Sequence, residues 1–280
     1  RADDSNLMLV PPPGAKAVIR GGERIVGWQP AKLNGLDCWS ANVSGAAAGW
    51  FFRELWIDGR RATRARSPDH GYFHIKDAPD AKAWQDPVWR VHYQDSDVPP
   101  APWSFGTEMI VMDRWVESRL PLGSDDLSDH LANFLRLSQF TIDRNDPYWL
   151  EGDARFLNAP GEWFLDRNEG RIYYLPLPGQ QPAKIDAIAP KLAQLLRLQG
   201  DAAHNRFVEN VAIKGLTFSH TEWNFPEVAT RPGPATRPGP ATRPSDKGGF
   251  DQAAFGVPGA ISGNGVRRLT LDHCTIEHIG

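Results

Sequence analysis

Cysteine is scarce. Cys38 and Cys274 are the only two in 280 residues, too few for a disulfide framework or a four-thiolate zinc site. A basic excess is also missing: Lys+Arg total 31 against 34 Asp+Glu, a net charge of −3. With no surplus cation to neutralise phosphates, nucleic acid is not an expected partner. No run of 18 or more apolar residues occurs, so no membrane span is expected. There is no Gly-rich phosphate loop, no G-x-S-x-G elbow and no H-E-x-x-H motif, and no cofactor is expected. What the chain has instead is 26 Gly, 24 Pro and 11 Trp. Glycine and proline at that level point to a turn-rich β protein rather than a helical bundle. Tryptophan at that level needs either a large core or a surface that stacks on flat ligands. Apolar residues at 41% and charged residues at 23% are globular values, and the length fits two ordinary domains or one large all-β unit.

The clearest internal pattern is a repeat near the C-terminus. Val208-Glu-Asn-Val-Ala-Ile-Lys-Gly-Leu-Thr-Phe-Ser-His220 superimposes, 58 residues on, with Val266-Arg-Arg-Leu-Thr-Leu-Asp-His-Cys-Thr-Ile-Glu-His278. Apolar positions coincide at Val208/Val266, Val211/Leu269, Ile213/Leu271, Leu216/Cys274 and Phe218/Ile276. Each copy reads as two short strands separated by a corner, Lys214-Gly215 or Asp272-His273, with one face inward. Further short strands are expected at Leu196–Gly200 and Ala260–Gly263. Short strand, corner, short strand, repeated with stacked apolar positions, is the pattern of a parallel β-helix, whose turns sit about 4.8 Å apart. The alternative is two unrelated hairpins that happen to match, and the coil is the preferred reading.

The middle of the chain differs. Eight of the eleven tryptophans fall between Trp28 and Trp115. Asp58-Gly59 between Leu55–Ile57 and Arg60–Arg64 predicts a hairpin, and Arg167–Gly170 predicts another between Glu162–Asp166 and Arg171–Leu175. Ser124 is placed to cap a short helix bearing Leu127, Leu131, Phe134 and Leu135. Residues 30–185 are therefore expected to form an inserted antiparallel β domain of sandwich type, with 1–29 supplying first strands and 186–280 further turns. One segment is low-complexity: Ala229-Thr-Arg-Pro-Gly-Pro234 is repeated at 235–240 and begun again at 241–244. Proline in every unit blocks a ladder, so a Pro/Arg-rich loop is expected at 229–244. Beginning at Arg1 and stopping after a strand-like stretch, the chain reads as a piece of something longer.

Several stretches carry a family resemblance. Val18-Ile-Arg-Gly-Gly22 with Ile25-Val-Gly-Trp28, then Arg53-Glu-Leu-Trp-Ile-Asp-Gly-Arg-Arg-Ala-Thr-Arg-Ala-Arg66, then Ala159–Pro176, resemble the entry and the insert of certain β-helix proteins. Gly215–Trp223, Gln252-Ala-Ala-Phe255 and Cys274–Gly280 resemble the return to their coil. The group is that of bacterial right-handed parallel β-helix proteins that includes glycoside hydrolase family 141, whose members include fucosidases and xylanases. The resemblance implies a secreted or periplasmic enzyme acting on plant or algal polysaccharide. It also implies that the catalytic carboxylates lie in later turns, beyond Gly280, so none can be carried onto a position here.

Glycoside hydrolysis needs two carboxyl groups flanking the bond. Acids near the coil are Glu222, Asp251, Asp272 and Glu277. Glu222 and Asp251 border the 229–244 loop and are the candidate catalytic acids, whereas Asp272 sits at a corner that Asp favours for its own turn chemistry; spacing fixes no acid pair. His220, Trp223, Gln252 and His278 are candidate substrate-binding residues. The two histidines are equivalent in the repeat and should stack one turn apart. They could line a groove or act as a base, or simply end a strand; Trp223 could stack on a sugar or pack in a core. His70 and His74 share a face without a third metal ligand. The arginines at 53, 60, 61, 64 and 66 could hold uronic acids or pair with Glu54 and Asp58. Two other readings keep the same residues: a polysaccharide lyase, and a glycan-binding or adhesin module that cleaves nothing.

Overall fold

The computed structural model describes residues 5–95, 97–126, 129–225, 246–254 and 257–280. The 229–244 loop, Phe255 of the stretch quoted above and Leu127 lie outside them. The regular elements of the described chain are strands, apart from short 3-10 turns such as Ala154–Phe156 and Ala202–His204. No helix among the described residues is long and apolar enough to cross a membrane.

The repeat is a structural register. Val208–Lys214 lies parallel to Val266–Asp272, with Val208 opposite Val266, Val211 opposite Leu269 and Ile213 opposite Leu271. Leu216–Ser219 lies parallel to Thr275–Glu277, with Phe218 opposite Ile276. The N-terminal strands Met8–Leu9 and Ala17–Arg20 extend the same two ladders on the other side, and Leu196–Gln199 pairs in parallel with Ile261–Asn264. Alternation directs Val208, Val211, Ile213, Leu216 and Phe218 into a buried cluster. The corners repeat as well as the strands. Asn210 and Arg268 have φ of 57° and 56°, Gly215 and His273 63° and 50°, His220 and His278 61° and 54°. Five of those six are not glycine, and the same left-handed conformation recurs at each equivalent position despite its cost.

Residues between the N-terminal strands and the repeat form two large sheets. One has eight strands, in the order Gly22–Ile25, Ala187–Pro190, Leu55–Ile57, Arg60–Arg64, Glu162–Asp166, Arg171–Tyr174, Leu36–Asn42 and Gln29–Leu33. It reaches slightly beyond 30–185 at both ends. The other has seven strands and is centred on Glu108–Asp113, Val116–Asp126 and Pro147–Glu151. Cys38 and Phe164 from the first sheet join Met109, Val111, Leu120, Tyr148 and Leu150 from the second in one core. The opposite face of the first sheet buries Trp163, Leu165, Ile172 and Tyr174 in another. Both expected hairpins form: Ile57 faces Arg60 across Asp58-Gly59, and Asp166 faces Arg171.

Two expectations are corrected. The larger sheet is not purely antiparallel, because Glu162–Asp166 runs parallel to Arg60–Arg64. Among the described residues no helix follows Ser124: Ser124–Asp126 end one strand and Leu131–Phe134 form its antiparallel neighbour, with a register shift between Leu122 and Ser124. The apolar spacing that suggested a helix spans this irregular hairpin, and within Leu131–Phe134 burial alternates with period two.

The chain that follows the parallel ladders meets the seven-stranded sheet along a seam. Residues 246–249 run against the seven-stranded sheet through bridges Leu137–Lys247 and Ser118–Gly249. Arg119 N donates to Gly248 O at 2.6 Å and Gly248 N to Leu137 O at 2.7 Å. The approach requires glycine, because a Cβ on Gly248 would sit 2.2 Å from the Arg119 carbonyl oxygen.

Candidate functional site

The chain leaving Leu216–Ser219, residues 220–225, enters this seam. Arg53, just before Leu55–Ile57, meets it there. Glu222 N donates to Leu192 O at 3.0 Å. The Glu222 carboxyl takes Arg53 N on Oε2 at 3.0 Å and Trp223 N on Oε1 at 3.1 Å. It is only 2% exposed. Burial pushes its pKa up to about 7, with neighbouring Glu54 adding to the rise and the Arg53 contacts opposing it. Near neutral pH this carboxyl is poised between acid and base, a property general acids share. Its two oxygens, however, face backbone N–H groups and not solvent.

Beside it stands a carboxylate of opposite character. Glu108, 1% exposed, accepts from Arg53 Nη2 at 2.7 Å and Arg64 Nη1 at 2.5 Å. Burial works to raise its pKa, but the Arg53 and Arg64 guanidiniums, with Arg119 nearby, hold it well below the usual carboxylate range. Arg64 also donates to Gly106 O, and Arg119 Nη1 to Glu151 at 3.1 Å. Gly152 makes room for this arrangement: at φ +80°, a Cβ there would lie 2.3 Å from Arg64 Nη2. Arg53 and Arg64 are thus committed to buried carboxylates, and Arg61 pairs with Glu54 at 2.6 Å. Glu108, Arg119 and Glu151 were not singled out in the sequence. An acid opening the otherwise apolar stretch Glu108-Met-Ile-Val-Met112 was the one local sign.

The other candidates lie on either side. Trp223 is half-buried, its ring 5.2 Å from Phe225 and 5.6 Å from Phe250, with the Arg53 guanidinium 5.7 Å away. Asn224, exposed, accepts from Arg53 Nη1. Asp251 and Gln252 are exposed, and Asp251 accepts from Gln139 Nε2 at 2.6 Å. The structure therefore brings the Glu222-Trp223 and Phe250-Asp251 segments together through their aromatic neighbours. His220 and His278 meet edge to face with ring centroids 4.8 Å apart, and Trp56 lies 4.1 Å from His278. His220 is buried, bonded to Ser219 Oγ at 2.9 Å. Burial, then His278 and Arg20, lower its pKa to about 4, which makes it a neutral and weak base. Asp272 lies beside Lys214 and His273 on the ladder edge. His70 and His74 are exposed, and no cluster of three or more His, Cys, Asp or Glu among the described residues could hold a metal. A shallow depression lined by Val26, Trp28, Pro30, Pro182 and Ile185 contains none of these groups.

Comparison with known proteins adds family information. Residues 137–177 match the model of the GH141 insertion domain. That segment supplies Pro147–Glu151 to one large sheet and Glu162–Asp166 with Arg171–Tyr174 to the other. A solved structure described as "Glycoside hydrolase" superimposes with a TM-score of 0.68 at 23% identity, covering 99% of this chain and 51% of that one. The chain thus has the fold of that protein and spans about half its length. A second, titled "The complex structure of XylC with xylose", gives a TM-score of 0.23 at 11% identity over 75% of this chain and 25% of that one. No curated protein matches.

Proposed function

We propose that this chain is the N-terminal part of a GH141-like glycoside hydrolase that cleaves O-glycosidic bonds in plant or algal polysaccharide outside the cytoplasm. The observation that carries the reading is the coincidence of an insertion-domain match at 137–177 with a whole-chain likeness to a glycoside hydrolase. On this reading the parallel ladders begin a right-handed parallel β-helix, interrupted by an inserted domain at about residues 30–185. The catalytic carboxylates belong to turns after Gly280, as the family resemblance implies.

The residues in hand then bind and position. Trp223 and the exposed Asn224, Asp251 and Gln252 face the sugar. Glu222 holds the Trp223 backbone to Arg53 and so fixes the indole at the seam. His220 and His278 pack behind, against Trp56. Asp251, solvent-facing and bonded to Gln139, is better placed than Glu222 to touch substrate; Glu222 would have to leave two backbone donors to do so.

The test is reducing-sugar release by the complete protein on xylan, fucoidan and pectin. Release without near-ultraviolet absorbance is expected. Unsaturated products absorbing there would show a lyase, and binding without turnover would show a glycan-binding module. Either outcome overturns the hydrolase reading.

A further inference from the structure

Most tryptophans of the insert are packed, but two are not. Trp84 and Trp115 are 47% and 55% exposed. With Phe140 they form a triangle of rings whose centroids are 5.8, 5.9 and 5.3 Å apart. Exposed aromatic surface of this kind is uncommon without a use.

Each ring is held by its own support. Trp84 sits in a turn in which Asp86 N donates to Ala83 O and the Asp86 carboxylate accepts Ala83 N. Its carbonyl accepts from Thr141 N at 3.2 Å. Phe140 N donates at 3.0 Å to Asp113, a fully buried carboxylate that also accepts Ser118 Oγ at 3.1 Å. Trp115 occupies the two-residue turn between Asp113 and Val116. The first residue of that turn is Arg114 at φ 62°, where glycine is the usual choice. The turn thus accepts a strain on the order of 1 kcal/mol and sets an indole at its exposed tip. Arg114 is in turn tied to Asp143 at 2.7 Å.

We propose that Trp84, Trp115 and Phe140 form a platform that binds a polysaccharide chain by stacking. The π face of an aromatic ring is negative, and the C–H-rich face of a pyranose presents positive dipoles to it. Polar side chains border the rings to meet sugar hydroxyls: Lys82, Gln85 and Asp86 are exposed, and Arg114 with Asp143 flanks Trp115. Lys247 lies 5.9 Å from Phe140. A nucleic acid could also stack, but a net charge of −3 supplies no surplus cation for its phosphates. Continuity with the seam favours a glycan further. Lys247 touches this platform, and Phe250, three residues on, touches Trp223, a step of roughly 10 Å of extended chain. One polymer lying on the platform would be directed toward the segment bearing Trp223. The ligand class rests on the proposed function; the platform itself rests on the rings.

The test is affinity electrophoresis of the protein through gels containing xylan, fucoidan, pectin or mixed-linkage β-glucan. The wild type should be retarded in at least one. Trp84→Ala combined with Trp115→Ala should weaken that binding about tenfold or more, while Trp115→Phe keeps most of it. Both side chains are half exposed, so far-ultraviolet circular dichroism should keep its wild-type shape and the melting temperature should fall only modestly, from the lost ring contacts. Release of sugar from short soluble oligosaccharides by the complete protein should also be unchanged. Binding by the double variant within about threefold of wild type, or no retardation of the wild type in any gel, would overturn the platform. So would a change in oligomeric state without a change in glycan retention. Intact hydrolysis beside any of these outcomes leaves the hydrolase reading standing. Binding that depends on both tryptophans, without hydrolysis, sinks the hydrolase reading and keeps the platform.

Discussion

Replacing Glu222 by glutamine should change the pH dependence of stability, with a sign that follows from burial. The Glu222 pKa rises from 4.5 to about 7 on folding. Below about pH 4.5 the carboxyl is protonated in both folded and unfolded chains, and it adds no pH dependence. Between about pH 4.5 and 7 the unfolded chain has released the proton and the folded chain still holds it. Stability therefore falls as pH rises through this window. Each pH unit is worth about 1.4 kcal/mol, so the whole window amounts to about 3 kcal/mol. Glu222→Gln is a permanently neutral analogue and removes this loss. Its amide cannot accept both the Arg53 and Trp223 N–H groups as two carboxyl oxygens do. A constant penalty of about 1–3 kcal/mol for one unmet donor is expected on top. The variant should thus be less stable than wild type at about pH 4.5 and recover by about 3 kcal/mol at about pH 7.5. Urea denaturation followed by tryptophan fluorescence at both pH values measures the difference directly. Parallel profiles for variant and wild type would refute the placement of Glu222 as a buried acid.

His220 should behave in the opposite sense. Its pKa falls from 6.5 to about 4 on folding, so its contribution is present above about pH 6.5 and is lost as pH falls toward 4. His220→Asn, which suits the left-handed φ of 61°, should gain on wild type by up to about 3 kcal/mol over that range, read from the same urea midpoints. Glu108→Gln should destabilise at every pH near neutrality, because Arg53 and Arg64 would keep buried charge without its counter-ion. A cost of about 3–5 kcal/mol, or roughly a 10 °C fall in Tm, is expected by thermal melting, with little relief from added salt.

How far the sequence disclosed this arrangement depended on the range of the interactions. The repeat was legible because equivalent positions of two copies share one local pattern, and their 58-residue offset became the register of two ladders. The Asp58-Gly59 hairpin was legible because its turn chemistry is contained in the turn. The 124–135 stretch misled because apolar spacing at i, i+4, i+7 and i+8 does not separate a helix from a bulged hairpin. The seam was not legible. Arg53 and Arg64 find Glu108 at separations of 55 and 44 residues, and no spacing rule connects them. Nor does the sequence distinguish Trp163, fully buried, from Trp115 at 55% exposure; only packing does.

The two seam carboxyls show why the insert matters to the proposed site. Glu108 and Glu222 are both buried and both bonded to Arg53, yet their pKa values move in opposite directions. Burial acts to raise both, but Glu108 is countered by the guanidiniums of Arg53, Arg64 and Arg119, whereas Glu222 has Glu54 beside it and weaker opposition from Arg53. Glu108 receives the guanidinium charge, and Glu222 receives the backbone N–H. One residue of the insert therefore anchors to the seven-stranded sheet with its side chain and to the Trp223 segment with its main chain. Residues 246–250 add a second tie, from Gly248 and Lys247 on the sheet to Phe250 beside Trp223. Trp223 is thus located jointly by the ladder that precedes it and by the insert above it. Loosening the insert at Glu108 should displace the indole even though the two side chains make no direct hydrogen bond. On this geometry the seven-stranded sheet positions Trp223, and if Trp223 binds sugar as proposed, that binding should weaken in Glu108→Gln before the ladders themselves unfold.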